Sequence, residues 1–219
     1  MDLMISTLLR AYKLKDETRT GWELRGVREP ESVADHSWGT ALLCLLFAGE
    51  AGVGLERCLS IAAVHDLAEA ETGDVATRVF PEEQAVSAEE KQVRELGAMK
   101  RLAAGLEPKG RRRAAETEEL PGMQHAAGTT GIFELWKEYE ENSTPEAVFV
   151  RDMNLIDMCL QALKYENEKR YLEDPANPNF KNFERLDEFF ATARPRVQTE
   201  TGRRLFAEIH RLYKEERKK

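Results

Sequence analysis

The sequence predicts an all-α protein. Apolar residues recur at helical spacing in nearly every segment of the 219-residue chain. No run alternates apolar and polar residues for long enough to indicate a strand. Hydrophobic residues make up 42% of the chain and charged residues 33%, which is typical of a soluble globular domain. A chain of this length can bury a core without disulfides or structural metals.

The first half of the chain is predicted to hold four helices separated by loops. They cover residues 2–15, 32–49, 55–70 and 87–104. Residues 16–31 are expected to form a loop, because they are rich in Arg, Thr, Gly and Pro. Ser32 and Asp35 have the spacing of a capping box at the start of the second helix, and Gly52 and Gly54 follow its end.

The second half is predicted to hold four more helices. They cover residues 132–140, 145–170, 181–193 and 198–217. Between the two halves, residues 105–131 are enriched in Gly, Pro and Arg, so we expect a flexible insertion there. The length prior favours one domain over residues 1–219 that contains this insertion.

Charge and the chain ends exclude several classes of protein. The net charge of −8 argues against a general nucleic-acid partner. The longest apolar run, Ala41–Ala48, is much shorter than the roughly 20 residues of a membrane helix, so no membrane partner is expected. The N-terminus lacks a secretory signal pattern, and the three cysteines are odd in number with no CxxC spacing. These features predict reduced thiols and a cytoplasmic location.

Two adjacent ionisable residues stand within an apolar segment of the third predicted helix. His65 and Asp66 follow four apolar residues and precede a Leu-Ala pair. A buried charge there is costly unless it is paired or bound to a metal. Glu69 lies four residues after His65 and three after Asp66, so a continuous helix would place all three on one side.

Two further residues on other helices are predicted to face the core. His36 lies near the start of its helix. Gly39 follows it by about one turn and Leu43 by about two turns. Asp152 falls on the apolar stripe of its helix, with Leu155 and Cys159. A buried carboxylate in a helix needs a partner.

These observations favour a metal site with four protein ligands. The proposed ligands are His36, His65, Asp66 and Asp152. Two imidazoles and two carboxylates suit a borderline divalent cation such as Mn, Fe, Co, Ni or Zn, which would activate water near neutral pH. Taken singly, an inward histidine is more often a hydrogen-bonded core residue, and an inward aspartate can simply pair helices. Their occurrence together on three core helices favours the metal interpretation.

The order His, His-Asp, Asp on consecutive helices resembles the HD-domain metal-dependent phosphohydrolases. Further segments look like the 5′-deoxynucleotidase branch, which includes the bacterial YfbR-type enzymes and the eukaryotic HD domain-containing protein 2 group. These segments are residues 19–22, 30–37, 65–69, 72–74, 135–140 and 150–158. The similarity covers roughly residues 1–100 and 132–195, and the insertion at 105–131 departs from the family. Near the last ligand, Arg151 and Asn154 replace the acidic residue and lysine that are usual there.

The resemblance implies an HD-domain helical bundle, a homodimer in several members, and release of phosphate from deoxyribonucleoside 5′-monophosphates. The four proposed ligands match the family's metal ligands, and Glu69 matches its catalytic carboxylate. Asp74 matches the aspartate near the substrate sugar and phosphate. In the eukaryotic group, Glu69, Asp74 and the carbonyl of Val75 match a second cation site. Arg19 and Trp22 match a pair near the nucleotide. The cation remains open among Mn, Co, Mg, Fe, Ni and Zn.

Several alternatives stay open at this point. A pyrophosphohydrolase or phosphodiesterase of the same superfamily would use the same site on another nucleotide. A non-catalytic, metal-containing ligand-sensing module would need no extra carboxylates such as Glu69 and Asp74. A plain helical bundle with paired polar core residues would bind no metal at all. Trp22 could stack on a base or anchor its loop, and the sequence favours neither.

Overall fold

The computed structural model describes residues 2–106, 131–174 and 176–219. The described residues confirm the all-α prediction, because they form ten α-helices and no strand. The helices are α1 (Leu3–Ala11), α2 (Thr20–Leu24), α3 (Val33–Ala51), α4 (Leu55–Ala62), α5 (Glu69–Thr72), α6 (Ala88–Leu106), α7 (Ile132–Glu141), α8 (Pro145–Glu168), α9 (Asp187–Ala193) and α10 (Glu200–Glu216). None of these helices is long and apolar enough to cross a lipid bilayer.

Helix α8 is the centre of the bundle. It packs against α3 on one side and α10 on another, and α3 in turn packs against α4. Thr144 caps the start of α8 by accepting a hydrogen bond from the N–H of Ala147, and Pro145 occupies its first turn. Three cysteines, Cys44, Cys58 and Cys159, are buried unpaired thiols. Helices α3, α4, α8 and α10 therefore pack into one core.

The capping box predicted at the start of α3 is present. The Ser32 hydroxyl accepts a hydrogen bond from the N–H of Asp35 (3.1 Å), and the Asp35 carboxylate accepts one from the N–H of Ser32 (3.0 Å). Gly52 ends the helix in the left-handed region, with φ of 71°. These two caps fix where α3 begins and ends, and His36 consequently lies in its first turn.

The helix predicted over residues 55–70 is wrong in its second half. Helix α4 ends at Ala62, and residues 63–68 form successive turns before α5 begins at Glu69. The His65 ring donates a hydrogen bond through Nδ1 to the carbonyl of Ala62 (2.8 Å), the group that a continuing helix would use for Asp66. The prediction from sequence overlooked this competition between side chain and backbone.

Two other predicted boundaries also differ. Residues 16–31, predicted as a loop, contain the five-residue helix α2. The helix predicted over residues 181–193 begins only at Asp187. The predicted insertion at 105–131 overlaps the end of α6, and its residues 107–130 lie outside the described part of the chain. Its flexibility stays a prediction, as does the single domain over residues 1–219.

Candidate metal and substrate site

Three of the four predicted metal ligands come together. His36 lies on α3, whereas His65 and Asp66 lie in the turns between α4 and α5. One carboxylate oxygen of Asp66 is 3.7 Å from Nε2 of His36 and 3.3 Å from Nε2 of His65. The two imidazole rings are 5.5 Å apart, and both are buried. This metal triad places two nitrogens and one oxygen around a common point.

The hydrogen bonds of the two imidazoles leave the inward nitrogens unused. Nδ1 of His36 is 2.6 Å from a carboxylate oxygen of Asp157, and Nδ1 of His65 bonds to the Ala62 carbonyl. Both Nε2 atoms are buried and have no hydrogen-bond partner among the described residues. Because each Nδ1 faces an acceptor, we assign its proton there, and the Nε2 lone pair is free to bind a metal.

The charges around the triad favour the metal-binding protonation states of His36 and Asp66, whereas burial of His65 is outweighed by the Asp66 carboxylate, which raises the pKa of that imidazole. Burial, followed by the Arg19 charge, lowers the pKa of His36 to about 3, so its imidazole is neutral. Burial alone would raise the pKa of Asp66, but His65, His36 and Arg19 outweigh it and hold the pKa below its usual range. Neutral imidazole and ionised carboxylate are the forms that bind a divalent cation. The triad therefore fits such a cation.

Asp152, the fourth predicted ligand, lies elsewhere. Its carboxylate accepts hydrogen bonds from the N–H groups of Gln198 (2.9 Å) and Thr199 (2.7 Å) and from the Thr199 hydroxyl (2.6 Å). Gly202 packs against the same carboxylate, where an added Cβ would lie 2.3 Å from its oxygen. Backbone donors at the start of α10 thus satisfy this buried carboxylate, and the structure does not bring it to the metal triad.

A different part of α8 reaches the site. Asp157 contacts His36, and Asn154 lines the cavity and donates a hydrogen bond to the hydroxyl of Tyr139 (2.8 Å). Five residues of helix rotate Asp157 by roughly 140° from Asp152, so the two carboxylates point to different neighbours. A signal for Asp157 exists in the sequence, because Gly39 leaves the space it needs: a Cβ there would lie 1.9 Å from its oxygen.

Glu69, which the resemblance matches to a catalytic carboxylate, lines the same cavity as His65 and Asp66. Its side chain is 4% exposed, and one oxygen, Oε2, has no hydrogen-bond partner among the described residues. Its other oxygen is 3.6 Å from the ammonium of Lys91, a residue of α6 that the sequence analysis missed. Burial and the carboxylates of Asp66 and Asp74 raise the pKa of Glu69. A carboxyl group in this setting can exchange a proton.

Arg19 and Asp74 flank the triad on the side of α2. One guanidinium nitrogen of Arg19 is 3.3 Å from Asp66 and 3.8 Å from Asp74. The Asp74 carboxylate also accepts a hydrogen bond from the N–H of Thr20 (2.5 Å), which holds the start of α2 in place. Val75 lines the same cavity. A second cation on Glu69, Asp74 and Val75 stays a prediction.

Trp22 is almost entirely buried. Its side chain is 1% exposed, and its indole N–H donates a hydrogen bond to Glu31 (2.9 Å). Phe189 packs on the indole at 3.9 Å and Tyr165 approaches it edge-on at 5.1 Å. These contacts leave little of the ring for a nucleotide base, so they favour the alternative in which Trp22 anchors its loop.

One cavity of about 460 Å³ is lined by most of the site residues, but not by His36, Asp152 or Asp157. Its lining combines carboxylates such as Asp66 and Glu69, cationic side chains such as Arg19 and Lys91, and apolar side chains such as Leu155 and Met158. A cavity of this volume matches a small-molecule ligand rather than a polymer.

The HD domain family matches residues 11–193, which include the whole metal triad. The chain therefore belongs to the HD domain family, and the predicted resemblance is confirmed.

Two curated relatives have the same activity in their names. The 5′-deoxynucleotidase hdd1 of Schizosaccharomyces pombe is 38% identical over 156 residues, covering 71% of this chain and 69% of the relative. The 5′-deoxynucleotidase HDDC2 of Danio rerio is 36% identical over 166 residues, covering 76% and 71%.

Solved structures share the fold over almost the whole chain. The crystal structure of the PH0347 protein from Pyrococcus horikoshii aligns with a TM-score of 0.64 and 28% identity, covering 96% of this chain and 98% of that one. A conserved hypothetical protein from Pyrococcus furiosus aligns with a TM-score of 0.62 and 29% identity, covering 96% and 99%.

Proposed function

We propose that this chain is a metal-dependent phosphohydrolase that releases phosphate from deoxyribonucleoside 5′-monophosphates. The observation that carries the proposal is the pair of buried, unpartnered Nε2 atoms of His36 and His65 that face one oxygen of Asp66. The named activity of the two curated relatives supports the choice of substrate.

The metal would be held by His36, His65 and Asp66, and Asp152 is left out of the ligand set. A divalent cation bound there supplies an electrophile for a phosphate oxygen and increases the acidity of water. Three protein ligands leave room for water and substrate, as catalytic metal sites require. The mixed nitrogen and oxygen donors suit Mn, Co, Fe, Ni or Zn. Mg stays a candidate because of the family resemblance.

Arg19 and Glu69 would carry the remaining chemistry. Arg19 lines the cavity beside Asp66, where its planar guanidinium can neutralise a phosphate oxygen with two parallel hydrogen bonds. Glu69 would orient the attacking water, take its proton, and return a proton to the departing 5′-oxygen. Phosphoryl transfer depends on such positioning and charge neutralisation more than on covalent catalysis.

Asp74 would contact the sugar and phosphate of the substrate, and with Glu69 and Val75 it could hold a second cation. Its carboxylate faces the cavity but is already bonded to Thr20 and lies beside Arg19. We therefore assign it to positioning of Arg19 and of the substrate rather than to proton transfer.

The first experiment measures phosphate release from five deoxynucleoside monophosphates, AMP, ppGpp and a phosphodiester. Metal-stripped protein is assayed with Mn²⁺, Co²⁺ or Mg²⁺, and with EDTA as the control. We expect release from the deoxynucleotides only when metal is present. Hydrolysis of ppGpp or the diester instead would keep the site and change the substrate. No hydrolysis by metal-loaded protein would contradict the proposal and favour a sensing module.

A homodimer in the cytoplasm also remains part of this proposal. The outer face of α3 exposes large apolar side chains that a second copy would cover: Trp38, Leu42, Leu45 and Leu46. Trp38 is 69% exposed, so Trp38→Glu should convert a dimer to monomers without disturbing the core. Light scattering after size exclusion measures this, and a wild-type monomer at micromolar concentration would contradict it. Cell fractionation tests the location.

A further inference from the structure

Five cationic side chains line the cavity among the residues that the structure describes. They are Arg19, Arg78, Lys91, Arg151 and Arg196. The first three each have a carboxylate partner. Arg19 pairs with Asp66, Arg78 donates to Glu188 (2.7 Å), and Lys91 lies near Glu69 and Glu95. The remaining two, Arg151 and Arg196, form no ion pair with any described residue.

The guanidinium of Arg151 has unused hydrogen-bonding capacity. It donates to the carbonyl of Tyr139 (2.6 Å) and lies 4.4 Å above the centre of the Tyr139 ring. Its Nε is buried and has no partner among the described residues. Burial raises the pKa of Glu140, and the nearby positive charge of Arg151 opposes this rise without outweighing it. The two side chains form no ion pair.

Arg196 has still fewer partners. It lies in the link between α9 and α10, and its guanidinium makes no hydrogen bond or ion pair with the described residues. Burial lowers its pKa, and so does the positive charge of Arg151. Two guanidiniums of like charge thus line one cavity, and neither forms an ion pair with a described carboxylate. Such an arrangement is unfavourable in isolation, and a bound anion would relieve it.

Contacts of Tyr139 show how Arg151 lies relative to the metal triad. The Tyr139 ring packs edge-on against the His65 ring at 5.2 Å, and Arg151 covers the same Tyr139 ring. The Tyr139 ring therefore contacts both Arg151 and the His65 imidazole of the triad. Arg19 already lies at the triad, so Arg151 and Arg196 are available for a second anionic group.

We propose that Arg151 and Arg196 form an anion subsite that takes a phosphate group, separate from the phosphate at the metal triad. Guanidinium forks match phosphate oxygens in geometry and remain charged at all relevant pH values. The choice of phosphate among anions rests on the proposed function. Two sources share this chemistry. One is a second phosphate on the substrate, as in a deoxynucleoside 3′,5′-bisphosphate, and the other is the inorganic phosphate released by the reaction.

The test titrates inorganic phosphate into the full-length protein by calorimetry, in Mn²⁺ and again in EDTA. In EDTA the metal triad cannot hold phosphate through a cation, and the part of the remaining binding that depends on Arg196 reports the subsite, as distinct from binding at Arg19. We expect Arg196→Gln to weaken this binding by about tenfold or more, because a charged hydrogen-bond donor is lost. Arg196→Lys should be intermediate, since it keeps the charge but not the fork.

Arg194→Gln is the matched control, because Arg194 is exposed, contacts His210 and does not line the cavity. Its phosphate affinity should equal that of the wild type. Equal binding by wild type and Arg196→Gln, or no binding by wild type, would overturn the subsite. Circular dichroism shows whether EDTA unfolds the chain. If it does, the phosphate affinities of wild type and Arg196→Gln are compared in saturating Mn²⁺ instead, and a difference between them supports the subsite.

Kinetics then separate the two sources. If the substrate carries the second phosphate, a 3′,5′-bisphosphate should have a lower KM than the monophosphate, and Arg196→Gln should remove that advantage. If the product occupies the subsite, Arg196→Gln should instead weaken inhibition by inorganic phosphate. Phosphate binding that depends on Arg196, in a protein that hydrolyses no nucleotide, would support the subsite and contradict the proposed function.

Discussion

Two carboxylates on α8, the buried Asp152 and the partly buried Asp157, have different partners. Asp152 accepts hydrogen bonds from the backbone at the start of α10, whereas Asp157 contacts the imidazole of His36. The first joins two helices of the core, and the second orients a metal-binding side chain. The comparison teaches that an apolar stripe predicts burial of a carboxylate, but not whether backbone, imidazole or metal will compensate its charge.

The largest expected effect comes from the carboxylate that belongs to the triad itself. Asp66→Ala should abolish metal binding and lower kcat/KM by at least about a thousandfold, because the cation's stabilisation of charge is lost. Metal content by mass spectrometry and phosphate release measure the two effects. Asp152→Asn, which also removes one buried negative charge, is the matched control and should retain its metal. Metal retention by Asp66→Ala would contradict the ligand assignment.

Glu69→Gln should have the next largest effect. The amide keeps the shape of the side chain but cannot accept a proton, so we expect kcat to fall by about 10²–10⁴-fold while the metal stays bound. The same two measurements distinguish the roles. A parallel loss of metal and activity would identify Glu69 as a ligand instead of a proton-transfer group.

Asp157→Asn tests the imidazole side of the comparison. An amide oxygen is a weaker acceptor than a carboxylate, so the ring of His36 is less firmly held in the metal-binding tautomer. We expect metal affinity to fall about 10–100-fold, with a thermal midpoint close to that of the wild type. Competition with a fluorescent chelator measures the affinity. Asp152→Asn is again the control on the same helix, and unchanged affinity in Asp157→Asn would remove the positioning role.

Much of the fold and part of the site could be predicted from the sequence. The helices follow from apolar spacing and caps such as Ser32, because these depend on residues near one another in the chain. His36, His65 and Asp66 could be proposed because a histidine-aspartate pair in an apolar segment is costly to bury alone. The resemblance supplied Glu69 and Asp74.

The remaining features depend on contacts between helices. Whether Asp152 or Asp157 faces α3 is set by how α8 packs, which the spacing within α8 does not determine. The turns at residues 63–68 arise because the His65 side chain takes a backbone carbonyl that the helix needs. Arg196 lies outside regular helix and has no local pattern to mark it. Lys91 likewise becomes part of the site only through the packing of α6.

The smallest effect on catalysis, and a clear effect on folding, is expected for Asp152→Ala. The N–H groups of Gln198 and Thr199 would lose their acceptor at the start of α10, which costs about 1–3 kcal/mol of unfolding free energy. The Thr199 hydroxyl also accepts from the N–H of Gly202, so part of the cap would remain. For a chain of this size, that loss lowers Tm by roughly 2–4 °C per kcal/mol.

Calorimetric unfolding and metal content, measured on the same Asp152→Ala sample, separate the two roles of a buried carboxylate. A lower Tm with full metal content is the expected outcome, because the carboxylate stabilises the α8–α10 junction and does not reach the triad. Loss of metal at an unchanged Tm would identify Asp152 as a metal ligand. Its carboxylate would then have to break its hydrogen bonds to the start of α10. The hydrogen bonds to Gln198 and Thr199 make that release costly, since three donors would need new partners.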